Sequence, residues 1–127
     1  MKITKKEAYK VMLIFLDDLY KKTKSDDIGG LLGGFSLLSD GSTADPAAWT
    51  DWDNILQKEN IDELLNIKQI IISIKDFFKF HKEKFGFDLD IAINEFDDIS
   101  SNKEQFEKYV ENILADDEID EKIHLVN

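Results

Sequence analysis

Apolar residues recur at three- and four-residue spacing along two long stretches of this chain, and that periodicity confines most of it to amphipathic helix. Ala8, Val11, Met12, Phe15, Leu16 and Leu19 mark the first stretch. They make one buried stripe over about five turns. Thr4 followed by Glu7 sets a capping box in front of it, hydroxyl to one amide and carboxylate back to the other. Leu13 and Ile14 widen the stripe, so a second face is expected to be covered too. The second stretch passes through Leu64, Leu65, Ile67, Ile70, Ile71, Ile74, Phe77, Phe78, His81 and Phe85. Asn60 or Asp62 opens it, and Gly86 is its natural terminator.

Between the two lies a shorter amphipathic segment. Ser25 can cap it, Asp26 and Asp27 suit its first turn, and Ile28, Leu31, Leu32 and Phe35 form its apolar face. Gly29, Gly30, Gly33 and Gly34 lie on the opposite side, where another backbone could approach closely; each costs about 1 kcal/mol in a helix interior against alanine. Asp40-Gly41 reads as a turn. Asp45-Pro46 is a helix start, with Trp49, Trp52, Ile55 and Leu56 on one face. Past Gly86, the alternation of Phe85, Phe87, Leu89, Ile91 and Ile93 suits a strand. Leu89, Ala92, Ile93 and Phe96, with Asp88 as cap, suit a helix, and helix is favoured because a lone strand has no partner. Asn102 can cap a last helix through Phe106, Tyr109, Val110, Ile113 and Leu114, and the tail from Asp116 reads as acidic and frayed.

The expected fold is all-α, a compact bundle of about five to six helices. At 127 residues, 1–127 is expected to be a single helical domain, with 1–59 and 60–127 as candidate sub-units. A weak internal echo supports the division. A long helix leads through a short one and a loop to an aromatic pair, Trp49/Trp52 and then Phe106/Tyr109, and both pairs run into Asn-Ile-Leu. Two pseudo-repeated helix–short helix–loop–helix units would account for it.

Composition excludes several functions. There is no cysteine, hence no disulfide framework and no thiolate zinc site, which fits a reducing compartment. The basic residues are 16 lysines and no arginine, which argues against a nucleic-acid reader. The opening MKITKKEAYKVMLIFLDD puts lysines before an apolar run, the order of a signal peptide. However, Asp17 and Asp18 end the run, no small-residue cleavage site follows, and no run is long enough to span a membrane. A cytoplasmic protein that does not engage membranes is expected. The net charge of -11 is uneven: residues 86 to 121 hold 2 lysines against 13 acids. That segment repels nucleic acid and attracts basic partners.

Catalytic and metal chemistry find little footing. His81 and His124 have no cysteine to join them, His81 sits at the edge of an aromatic helix face where packing is its usual role, and no His-Glu-x-x-His pattern exists. Asp97 to Tyr109 lacks the glycine and terminal glutamate of a calcium loop. Gly-x-Ser-x-Gly is absent, and acid pairs such as Asp26/Asp27 and Asp97/Asp98 follow from the abundance of acids. No cofactor, no metal and no catalytic residue are expected.

The first 57 residues carry an ordered series: T-x-x-E-A, an F-L helix, S-D-D-I-G-x-L-L-G, and D-G-S-T-A-D-P-A-A-W-x-D-W. This series resembles small bacterial immunity proteins, more narrowly those encoded beside contact-dependent growth-inhibition and related polymorphic toxins. The resemblance rests on Ser25 to Gly33 and Asp40 to Trp52. It implies a cytoplasmic protein that binds the C-terminal toxin domain of its own system, commonly a nuclease with a basic substrate channel, and blocks it without catalysis. Within the motifs, Asp26, Asp27 and Asp45 read as helix caps and Trp49 and Trp52 as core. Partner contacts are therefore expected in the acidic C-terminal region, from the pool Asp88, Asp90, Glu95, Asp97, Asp98, Asp116, Asp117, Glu118, Asp120 and Glu121. The alternatives are an acidic DNA mimic or helical adaptor acting on a host or phage regulatory protein, and a small enzyme, which would need a convergent polar pocket.

Overall fold

Two three-residue strands, each leading directly into a 19-residue helix, set the frame of the molecule. The computed structural model describes residues 1–123; His124 lies outside the described residues. Strand β1 (Lys2–Thr4) runs into helix α1 (Lys5–Thr23), followed by α2 (Asp26–Phe35) and α3 (Pro46–Lys58). Strand β2 (Leu64–Asn66) runs into α4 (Ile67–Phe85), followed by α5 (Asp90–Ser100), α6 (Lys103–Leu114) and the short α7 (Ile119–Ile123). The fold is an all-α bundle carrying one small antiparallel strand pair, in which Ile3 faces Leu65, Lys2 faces Asn66 and Thr4 faces Leu64.

The two halves repeat one unit. Thr4 caps α1 with a capping box to Glu7, and Asn66 caps α4 with a capping box to Gln69. Both helices end on a left-handed residue, Lys24 in the first and Gly86 in the second. Their buried positions also correspond: Ala8 with Ile70, Tyr9 with Ile71, Val11 with Ser73, Met12 with Ile74, Phe15 with Phe77, Leu16 with Phe78 and Leu19 with His81. In the third helices Ala48, Trp52 and Ile55 are buried where Phe106, Val110 and Ile113 are buried. This register aligns the two Asn-Ile-Leu triplets and leaves the aromatic pairs out of step.

The halves are interlocked. Each long helix packs against its own short helix, α1 on α2 and α4 on α5, but the third helices cross over: α3 covers α4, and α6 covers α1 together with α7. Leu13 and Ile14 are buried, as a helix covered on two faces requires. The buried side chains form one cluster from Ile3 to Ile123. Its centre is aromatic. The fully buried ring of Tyr9 meets Trp49, Trp52 and Phe77 edge-on at 5.6, 5.9 and 6.3 Å, and its hydroxyl donates to the Phe35 carbonyl at 2.7 Å. The indole N–H of Trp52 donates to the Lys5 carbonyl at 3.2 Å. Such pairs add about 0.5–1.5 kcal/mol each beyond the area they bury.

Several expectations need correction. The long second helix starts at Ile67, not at Asn60 or Asp62, because Leu64–Asn66 pairs with β1 and Asn66 provides the reciprocal cap that Asp62 cannot. Phe85, expected in the core, is 53% exposed. Helix α5 confirms the helical reading of the segment after Gly86; its N-cap position is Leu89, while the Asp88 carboxylate accepts the Asp90 N–H at 3.3 Å from just outside. Asp26 and Asp27 lie in the first turn of α2 as expected, with Ser25 as the cap, and Asp27 in addition accepts the Asp88 N–H at 2.6 Å, pinning α5 to α2. The glycines of α2 admit a side chain and not a backbone, since a Cβ on Gly29 would lie 2.8 Å from the Tyr20 ring whereas Gly33 faces open space. The tail is not wholly frayed: α7 makes a seventh helix among the described residues, and Ile123 is buried. Ser25, Asp45 and Asn102 cap as expected. No helix among the described residues is long and apolar enough to cross a membrane.

Gly33→Ala should stabilise the protein by about 0.5–1 kcal/mol in urea denaturation, while Gly29→Ala should gain nothing or lose because the Tyr20 ring must move. Ser73 stands where Val11 stands in the first unit, and its hydroxyl is buried without a hydrogen-bond partner among the described residues. Ser73→Ala should therefore raise stability by about 1 kcal/mol, measured by the same denaturation, and a loss would mean that the hydroxyl has a partner.

Candidate functional site

The ten acids expected to meet a partner are built as two groups on different supports. Asp88, Asp90, Glu95, Asp97 and Asp98 lie on or next to α5, which packs on α4. Asp116, Asp117, Glu118, Asp120 and Glu121 lie on the α6–α7 connection and α7, which packs on α1. All are exposed except Asp116, which is half-buried.

Lysines from the supporting helices answer part of this charge. Asp90 lies 2.6 Å from Lys82, Asp97 2.9 Å from Lys75, and Asp120 2.7 Å from Lys10. Asp116 lies 2.6 Å from Lys122 on α7 itself. The hydrogen bond from Lys122, aided by the Glu118 N–H, holds the Asp116 carboxyl below the usual range, and the hydrogen bond to Asp90 raises the Lys82 ammonium. Exposed pairs of this kind add little stability, but they reduce the charge presented to a partner. Asp88 is occupied by the backbone contacts that start α5. Glu95, Asp98, Asp117, Glu118 and Glu121 remain as outward-facing carboxylates. Helix α6 adds exposed Glu104 and Glu111, which belong to the same acidic segment although the expected pool omitted them. Among the described residues no three acids or histidines are grouped to hold a metal ion.

A concave site, not foreseen from the sequence, lies where the two halves interlock. The C-terminal end of α2, the first turns of α3 and the last turn of α4 enclose a cavity of about 260 Å³. Leu31, Phe35, Phe85 and Phe87 supply apolar walls, and Asp45, Asp51 and His81 supply the polar groups. His81 is packed among Phe35, Phe77, Phe80 and Phe85, with ring centroids 4.5 to 5.6 Å away. Its Nδ1 contacts the Phe77 carbonyl at 2.9 Å, and its Nε2 faces Asp51 Oδ2 at 4.0 Å. The packing role expected of His81 is the one observed, but a second ring atom is turned to the cavity. Nothing in the sequence singled out Asp51, because its relation to His81 depends on α3 crossing to the other half.

Burial pulls the His81 imidazole below its ordinary value of 6.5; the Phe77 carbonyl and the Asp51 carboxylate pull it back up, and Lys84 adds to the lowering. The neutral ring is therefore the folded form near neutrality. The unfolded chain takes up the proton first, so His81 costs the protein stability as pH falls below 6.5.

Comparison of the chain with protein-family models, with curated proteins and with solved structures finds no match in any of the three.

A titration of the His81 ring followed by carbon-13 NMR should give a midpoint below 6.5, and Asp51→Asn should lower it further by removing the charge that raises it. A midpoint above 6.5, or one raised by Asp51→Asn, would show that burial does not dominate.

Proposed function

We propose that this chain is a cytoplasmic immunity protein. It binds the basic C-terminal domain of a cognate bacterial toxin, a nuclease, and neutralises it by non-catalytic occlusion through its acidic surface. The observation that carries the reading is the acidic segment 86 to 121, with 2 lysines against 13 acids, displayed on the exposed sides of α5, α6 and the α6–α7 connection. A nuclease holds its substrate's phosphates in a basic channel. A rigid helical surface bearing carboxylates competes for that channel by charge and is steered to it over long range. The ordered motifs of the first 57 residues support the same reading through their resemblance to immunity proteins. Their structural roles fit a scaffold, since Ser25 and Asp45 cap helices and Trp52 is core.

A binding role is also supported by how the carboxylates are placed. Those of the acidic segment lie mostly on outward helix faces, although Asp90 and Asp116 also line surface grooves. The cleft between α2, α3 and α4 is lined by a histidine and two carboxylates, and no hydroxyl or amine is among its lining residues.

Purification of the tagged chain from its native cytoplasm, with its neighbouring genes expressed, should recover the C-terminal domain of an adjacent toxin, and the chain should suppress that domain's nuclease activity. Recovery of regulatory or chromosomal proteins alone would contradict the reading. Glu95, Asp98 and Asp117 are exposed and make no ion pair among the described residues. Reversing all three to lysine should therefore leave thermal stability nearly unchanged, slow association about tenfold or more, and flatten its salt dependence. An unchanged on-rate and salt slope would exclude the charged surface as the steering element.

A further inference from the structure

The cleft between α2, α3 and α4 turns two hydrogen-bond acceptors toward one another. His81 is 4% exposed. The contact of its Nδ1 with the Phe77 carbonyl requires the proton on Nδ1, which leaves Nε2 as the lone pair of a neutral ring. That lone pair faces the Asp51 carboxylate at 4.0 Å, too far for a direct hydrogen bond and close enough for one donor atom to serve both. We propose that this cleft receives a primary ammonium group, the tip of a lysine side chain of the partner protein, seated between His81 Nε2 and Asp51. The proposal rests on the reading above that the partner is basic, and it names a contact outside the acidic segment.

The geometry favours an ammonium. A nitrogen about 2.9 Å from each of two acceptors 4.0 Å apart sees them at about 90°. That is nearer the tetrahedral spread of an ammonium's N–H bonds than the flat fork of a guanidinium. The third N–H and the methylene stem would lie against Phe35, Phe85 and Phe87, rings that attract a cation. Phe85, 53% exposed, is the aromatic member of the exposed large hydrophobics among the described residues. The C-terminal ends of α2 and α4, where partial negative charge collects, close two sides, and the positive N-terminal end of α3 on the third side is met by the Asp45 carboxylate that caps it. Asp45 at the rim adds a second carboxylate, although its Oδ1 already caps α3. The Lys84 ammonium lies over Phe80 and Phe85 at 5.2 and 5.5 Å and lines the neighbouring groove; it shares the Phe85 wall, and no lysine among the described residues lines the cleft itself.

The test uses the full chain and n-butylammonium chloride, followed by NMR of the His81 and Phe85 rings, against sodium chloride at matched ionic strength and against n-butanol. Saturable shifts of both rings with butylammonium are expected, with apparent affinity reduced about fivefold or more by Asp51→Asn. Asp51 makes no hydrogen bond that folding requires, so its variant should keep a native spectrum. Phe85→Leu, which leaves both acceptors, should weaken binding as well. Absence of a saturable shift, equal shifts from n-butanol, or undiminished binding by Asp51→Asn would overturn the site. Loss of the site with toxin capture intact removes the cleft alone; a functioning cleft with no toxin captured removes the immunity reading alone.

Discussion

A long helix that is apolar on two faces must be covered from both sides, and each half of this chain supplies only part of the cover of its own. Helix α1 buries Ala8, Val11 and Phe15 together with Leu13 and Ile14, and its cover is completed by α6 and α7 from the far end of the sequence. Helix α4 is covered in turn by α3. The Ile3–Leu65 strand pair fixes the starts of both long helices side by side, so the crossing helices arrive in register. The aromatic centre of Tyr9, Trp52 and Phe77 depends on this exchange, because the three rings come from α1, α3 and α4.

The cleft and the acidic surface follow from the same exchange. Asp51 reaches His81 because α3 lies on α4, and Phe87 closes the cleft because the Asp27–Asp88 hydrogen bond ties the start of α5 to α2. Residues 87 and 88 thus join the cleft to the first carboxylates of α5. A partner engaging the α5 acids would have the cleft at the edge of its footprint, while the group at 116 to 121 lies on the separate support of α1 and α7.

Much of the scaffold was legible in the sequence wherever the signal was local. The Thr4–Glu7 box, Ser25, Asp45-Pro46, Asn102 and the apolar spacing of α1 all act within a turn or two, and the structure places them as read. The Asn66–Gln69 box carried an equal signal for the true start of α4. It was masked by Leu64 and Leu65, whose apolar character serves a strand pair formed with residues some sixty positions away. The echo between the halves was visible, but its register was blurred because Trp52 is matched by Val110 and not by an aromatic residue. Nothing local marked the approach of Asp51 to His81 or the bond from the Asp88 N–H to Asp27, which exist only across the interlock. The acidic pool was legible as charge. Its division by Lys10, Lys75, Lys82 and Lys122 into answered and unanswered carboxylates required the packing of α5 on α4 and α7 on α1.

The central proposal is that a basic partner is met by the acidic second half and by the cleft at its edge. Amide hydrogen exchange of the chain, alone and bound to the protein it captures, tests this most directly. Added protection is expected in α5, in the α6–α7 connection and around residues 81 to 88. Protection confined to the 36 to 45 loop and the outer side of α3, with the acidic helices unchanged, would contradict it.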